Sequence, residues 1–101
     1  MRLRVWREAE EELAEAAEWY ETRQVGLGIE LVAAIDRALE DIAAAPLSHP
    51  RWRADRPYRR RTLDRFPYVI FFECAPDAVF VVAIAHARRR PGYWLGRKEE
   101  R

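Results

Sequence analysis

The period of the apolar positions changes early in the chain. Residues 2 to 6, RLRVW, alternate polar and apolar side chains, which predicts a short first strand. From residue 8 onward the apolar positions recur every three or four residues, so we expect an amphipathic helix over residues 8 to 22. Its apolar face consists of Ala9, Leu13, Ala16, Ala17 and Tyr20. Glutamates lie near its N-terminus, where the helix dipole favours negative charge. They are Glu8, Glu10, Glu11 and Glu12.

A turn containing glycine separates this helix from a second one. The sequence QVGLG, residues 24 to 28, supplies glycines that can take a positive φ. A second helix is predicted after it, and Pro46 and Pro50 end that helix. Its apolar face consists of Leu31, Ile35, Ala38, Leu39 and Ile42. Because the turn is so short, the two helices should pack as an antiparallel hairpin.

Strand patterns return after a charged, proline-rich connection at residues 47 to 57. Strands are predicted at 58 to 63, 66 to 73 and 78 to 86, and their short connections imply an antiparallel meander. The last two are apolar on both faces, which places them centrally in the sheet. In the final strand, simple alternation puts Phe80, Val82 and Ile84 on one side and Val79, Val81 and Ala83 on the other. The predicted fold is α+β, in the order βααβββ, with the helical hairpin packed on one face of a small twisted, mainly antiparallel sheet.

Length and composition fit one domain over residues 1–101. The chain has 101 residues and is 50% hydrophobic, which is enough for a modest core without disulfides or metal. The charge is strongly polarised along it. Residues 1 to 50 carry five Arg against eleven Asp and Glu, a net −6, and residues 51 to 101 carry thirteen Arg and Lys against six acids, a net +7. Such a basic half can attract a polyanion or an acidic protein segment.

Several classes of function lack the residues that they need. Cys74 is the single cysteine, and neither histidine has acidic residues at ligand spacing, so we expect no disulfide, metal site or cofactor. There is no glycine-rich phosphate loop and only one serine, Ser48, which argues against nucleotide hydrolysis and serine catalysis. The N-terminus lacks a long apolar segment, so a soluble cytoplasmic protein is expected.

Two clusters of arginine are candidates for a working surface. In YRRRTL, strand alternation sends Arg59 and Arg61 to one face and Arg60 to the other, which suggests a sheet edge or the wall of a groove. The run Arg88 to Arg90 follows the last strand and could lie beside that wall. Arginine can clamp a carboxylate or phosphate with two hydrogen bonds. The alternative is that both clusters are solvated strand ends.

Each of the neighbouring aromatic residues has two interpretations. Tyr93 and Trp94 form either an aromatic lid over the open end of the core or part of the working surface. His86 ends the last strand and is either a hydrogen-bonded structural histidine or a general base.

The full set of motifs resembles the RelE/ParE superfamily of toxins from bacterial type II toxin–antitoxin systems. The matching stretches run in order along almost the whole chain. They are AEWYE (17 to 21), GLG (26 to 28), Pro46, RRTLDRFPYVIFFE (60 to 73) and AIAHARRRPGYWLGR (83 to 97). The resemblance implies the same βααβββ layout that the periodicity predicts.

The RelE-like branch of this superfamily cleaves messenger RNA on the ribosome, and the resemblance implies where its functional residues would fall. Arg60 and Tyr93 match two of its five positions, while Thr62, Val69 and Ala87 stand where basic residues are expected. A divergent, metal-independent ribonuclease site would have to use Arg60, His86, Arg88 and Tyr93. We treat this function as the first alternative.

The ParE-like branch binds and poisons DNA gyrase and needs a binding surface rather than an acid and a base. The P-G-Y-W ending also resembles this branch, which makes a gyrase-directed toxin the leading hypothesis. Its predicted surface comprises Arg59, Arg60, Arg61, Arg65, Arg88, Arg89, Arg90, Tyr93, Trp94 and Arg97. The resemblance further implies a cognate antitoxin that covers this surface, in a toxin–antitoxin hetero-oligomer. A second alternative is an inactive nucleic-acid or protein-binding module of the same fold.

Overall fold

The computed structural model describes residues 2–97 and contains the predicted order of elements. The elements are β1 (Leu3–Val5), α1 (Arg7–Arg23), α2 (Leu27–Ala44), a 3₁₀ turn (Pro46–Ser48), β2 (Tyr58–Thr62), β3 (Tyr68–Cys74) and β4 (Val79–His86). The α+β fold in the order βααβββ is therefore confirmed. Within the described residues, no helix is both long and apolar enough to cross a membrane.

The strands form one four-stranded sheet in the order β1-β4-β3-β2. β1 lies parallel to β4, while β2, β3 and β4 form the expected antiparallel meander. As predicted, β3 and β4 are central and β2 lies at an edge. Part of the outer edge of β2 is covered, because Trp52 N–H donates to Tyr58 O (2.8 Å) and Arg60 N–H donates to Pro50 O (3.0 Å).

The alternation predicted for β4 is wrong beyond Val81. Phe71 pairs with Ala83 while Phe72 pairs with Val81, so Val82 is the extra residue of a β-bulge. The bulge shifts the phase of the strand. Ile84 therefore joins Val79 and Val81 in the core between sheet and helices, while Val82 and Ala83 pack together on the opposite face.

Apolar residues pack against both faces of the sheet. The larger core lies between the sheet and the helical hairpin and includes Leu31, Ile35, Ile70 and Phe72. The smaller cluster lies on the other face, where Trp94 is 2% exposed and its ring stacks on Phe71 with 4.8 Å between centroids. The residues that carry Trp94, here called the C-terminal segment (91–97), thus cover part of the second face.

Two glycines and a glutamate form the turn between the helices. Gly26 has a φ of 90°, which L side chains rarely adopt. Gly28 lies where α2 approaches α1 most closely: a Cβ there would be 2.4 Å from the backbone oxygen of Ala17. The carboxylate of Glu21 accepts the N–H groups of Gly26 (2.8 Å) and Gly28 (2.9 Å), which satisfies free donors at the start of α2.

We expect Gly28→Ala to lower the free energy of unfolding by about 1 to 3 kcal/mol, because the added methyl group overpacks the helix contact. Without that contact, alanine would favour the helix by about 1 kcal/mol. Gly96→Ala is the matched control, since a Cβ at Gly96 meets nothing within 4 Å. Guanidinium denaturation of both variants measures the difference. A Gly28→Ala protein as stable as the control would show that the helices have room to adjust.

Candidate binding cleft

A cleft of about 250 Å³ lies on the face of the sheet opposite the helices. One wall is formed by the strands, where Thr62 of β2 pairs with Val69 of β3 and Val69 pairs with Ala85 of β4. Arg60, two residues before Thr62, lies on the same face at the rim. The other wall is the end of the chain and includes Arg89, Arg90, Pro91, Tyr93 and Trp94. We call this feature the basic cleft.

The basic cleft brings together the five positions that the RelE-like pattern singles out. Arg60, Thr62, Val69, Ala87 and Tyr93 all line it, although they come from β2, β3, the residues that follow β4 and the C-terminal segment. Three of the five side chains carry neither a charge nor a titratable proton. The cleft is thus uncharged at three positions where a phosphate-cleaving site needs cations.

The predicted arginines fall into two groups according to their partners. Four donate hydrogen bonds to other residues of the chain. Arg59 donates to the backbone oxygen of His49 (2.7 Å), Arg61 to Oδ2 of Asp41 (2.8 Å), Arg65 to Glu30, and Arg97 to Glu12 (2.8 Å). The side chains of Arg60, Arg88, Arg89 and Arg90 make no ion pair with any carboxylate of residues 2–97. Three of these four, Arg60, Arg89 and Arg90, line the basic cleft.

Two of the predicted site residues are largely withdrawn from the surface. Trp94 is buried and contacts Trp52 and Tyr58 as well as Phe71, with centroid distances of 4.7 to 4.9 Å. It therefore fills the core on this face, as a lid does, and offers little area to a partner. The charge of Arg97 is neutralised by Glu12, and both side chains are less than a fifth exposed.

His86 has one ring nitrogen committed to the backbone. Its Nδ1 accepts the N–H of Arg88 (3.1 Å), so the neutral ring carries its proton on Nε2. An imidazole in this state has no free lone pair with which to remove a substrate proton. Its ring also packs edge-on against Tyr68, with 5.3 Å between centroids. These contacts match the structural interpretation of His86.

Glu12 of α1 accepts four hydrogen bonds. Its Oε1 accepts from the backbone of Ile84 (3.0 Å) and from Arg97 (2.8 Å), and its Oε2 accepts from Arg97 (2.9 Å) and from the hydroxyl of Tyr93. Burial, the hydrogen bond to Glu12 and the charge of that carboxylate raise the pKa of Tyr93 well above its usual range. The hydrogen bonds that Arg97 itself donates to Glu12 raise the pKa of Arg97.

Sequence reasoning assigned Glu12 only to the helix dipole and missed this role. A signal was available, because Glu12 lies on the same side of α1 as the buried Ala9 and Ala16, three and four residues away. A carboxylate beside the apolar face of a helix requires partners, since burying an unpaired charge is costly. The partners themselves could not be read from the sequence.

The described residues form two helices on one face of a small mixed sheet, and this fold can be compared with solved structures. The structure is similar, with a TM-score of 0.74 and 19% identity, to a chain described as the chromosomal ParDE toxin–antitoxin system from P. aeruginosa. The match covers 85% of this chain and 95% of the other. No curated protein sequence matches. The family model described as the ParE toxin of the type II toxin–antitoxin system parDE matches residues 3–91, and the chain belongs to this family.

Proposed function

We propose that this ParE-type toxin inhibits growth by binding and poisoning DNA gyrase, and that a cognate antitoxin neutralises it. The observation that carries the proposal is the basic cleft: Arg60, Arg89 and Arg90 line it without a carboxylate partner among residues 2–97. Guanidinium groups without a carboxylate partner around a largely apolar groove suit a protein surface that presents acidic side chains. Because the chain belongs to the ParE toxin family, we take gyrase to be the protein that presents this surface.

The chemistry of the cleft favours binding over RNA cleavage. Cleavage requires a group that removes a proton and another that donates one. The hydroxyl of Tyr93 donates a hydrogen bond to Glu12, and its raised pKa makes it a weaker acid. The Nδ1 of His86 is occupied by a backbone N–H. A gyrase-directed toxin needs neither a proton acceptor nor a proton donor, so the hydrogen bonds of Tyr93 and His86 are compatible with its function.

An antitoxin is expected to act on the same surface. An acidic segment of a partner can pair with Arg60, Arg89 and Arg90, and an extended segment can add to a sheet edge. The contacts of Trp52 and Pro50 cover the outer edge of β2 at Tyr58 and Arg60, and Thr62 continues that edge beyond them. A partner bound there lies next to the mouth of the basic cleft.

The test compares the two toxin activities in parallel. Purified protein is added to gyrase with supercoiled plasmid, and separately to a translating extract with a defined messenger RNA. We expect gyrase-dependent cleaved DNA and intact transcript. Transcript cuts without cleaved DNA would replace the proposal with the ribonuclease alternative. Neither activity, together with normal growth on strong expression, would indicate an inactive binding module.

A further inference from the structure

We propose that Glu12 is the positioning residue that fixes the C-terminal segment in the place where it forms one wall of the basic cleft. The functional part of this inference rests on the proposed function. Glu12 itself does not line the cleft and lies on the helical side of the sheet. It acts at a distance through the residues that it holds.

The contacts of Glu12 join three parts of the fold. The carboxylate belongs to α1, its backbone partner Ile84 belongs to the central strand β4, and its other partners, Tyr93 and Arg97, belong to the C-terminal segment. Arg97 extends the link by donating to the backbone oxygen of Val82 (2.9 Å), at the bulge of β4. One carboxylate thus ties the last described residues to both layers.

The C-terminal segment has little regular structure of its own. Among residues 2–97, its backbone N–H groups bond only in successive turns: Tyr93 N–H to Arg90 O (3.2 Å), just before the segment, Leu95 N–H to Gly92 O (3.0 Å) and Arg97 N–H to Trp94 O (3.1 Å). Isolated turns of this kind are marginal in water. The position of the segment therefore depends on two anchors, the packing of Trp94 and the link to Glu12.

The hydrogen bonds to Glu12 affect the cleft because one of their donors, Tyr93, is itself a residue of the cleft wall. Tyr93 lines the basic cleft, and the guanidinium of Arg89 stacks over the Tyr93 ring at 3.8 Å. A movement of Tyr93 therefore also moves the charge of Arg89. Loss of the Glu12 carboxylate is expected to loosen the wall and to weaken a partner that requires its arginines in fixed positions.

Hydrogen exchange on Glu12→Gln tests the positioning directly. Glutamine keeps the shape of the side chain but removes the charge and one acceptor. We expect the amides of Tyr93, Leu95 and Arg97 to exchange about tenfold faster or more, because bonds to a charged group are lost. Amides of β3 should stay within about twofold of the wild type. Glu15→Gln, one turn further along α1, is the matched control and should leave the segment unchanged.

Two further variants separate the link from a general loss of stability. Arg97→Gln removes two of the four bonds to Glu12 and should accelerate exchange of the same amides, and the double variant should be no worse than Glu12→Gln, because Glu12→Gln already breaks the link. Tyr93→Phe removes one of the four bonds to Glu12 and should give a smaller acceleration. Unchanged exchange in Glu12→Gln, or equal acceleration in every strand and helix, would overturn the proposal.

Gyrase inhibition supplies the functional readout. If Glu12 positions the wall, Glu12→Gln should need about tenfold more protein for half-maximal cleaved complex than Glu15→Gln. Faster exchange of the segment with unchanged gyrase inhibition would refute the link between position and function. If wild-type protein does not act on gyrase, the proposed function fails, while the exchange experiment still decides whether Glu12 holds the segment.

Discussion

Replacing Arg60 and Arg90 together with glutamine will raise the protein concentration needed for half-maximal gyrase poisoning by about 100-fold, as expected for two lost charge-assisted contacts. The two side chains lie on opposite walls of the basic cleft and have no carboxylate partner among residues 2–97. Their removal leaves no buried charge unpaired, so the fold should be unaffected. The effect should therefore appear in binding and not in the free energy of unfolding.

The control removes the same amount of charge elsewhere. Arg23 and Arg37 are exposed residues of α1 and α2, and glutamine maintains both helices. The Arg23→Gln, Arg37→Gln protein should poison gyrase at close to the wild-type concentration. Equal losses in the two double variants would mean that net charge alone attracts the target, and would remove the cleft from the proposal.

The architecture could be predicted from the sequence because the periodic segments are long and bounded by clear signals. Helix α1 was expected at 8 to 22 and spans Arg7–Arg23. Alternation also separated Arg60, which lines the cleft, from Arg59 and Arg61, which are held on the other side of β2. These predictions depend on local geometry alone.

The partners of the arginines could not be predicted, because each pair joins positions far apart in the chain. Arg61 is 20 residues from Asp41, Arg65 is 35 from Glu30, and Arg97 is 85 from Glu12. No local pattern shows which guanidinium groups will find a carboxylate. The distinction between occupied and free arginines, on which the candidate site depends, appears only once the helices are packed on the sheet.

The bulge in β4 escaped prediction for a different reason. Every residue from Val79 to Ala85 is apolar, so the sequence reads as a buried strand in either phase. Only the paired register with β3 shows that Val82 is the extra residue. The bulge also affects the basic cleft, since the backbone oxygen of Val82 accepts a hydrogen bond from Arg97 and helps to hold the C-terminal segment.

Trp94→Ala will destabilise the protein by about 3 to 5 kcal/mol, the usual cost of truncating a fully buried tryptophan. The indole is 2% exposed and packs against three rings, those of Trp52, Tyr58 and Phe71. Alanine would leave a cavity between the sheet and the C-terminal segment. Because small domains have only about 5 to 15 kcal/mol of total stability, the loss is a large fraction of it.

Trp19→Ala is the matched control, because Trp19 lies on α1 with 51% of its surface exposed. It should change the free energy of unfolding by no more than about 0.5 kcal/mol, as is usual at exposed positions. Guanidinium denaturation followed by circular dichroism measures both variants without relying on the fluorescence of the residues that are removed. If Trp94→Ala costs no more than Trp19→Ala, Trp94 does not anchor the segment. In that case the link to Glu12 must hold the cleft wall alone, and Glu12→Gln would become the more damaging change to gyrase inhibition.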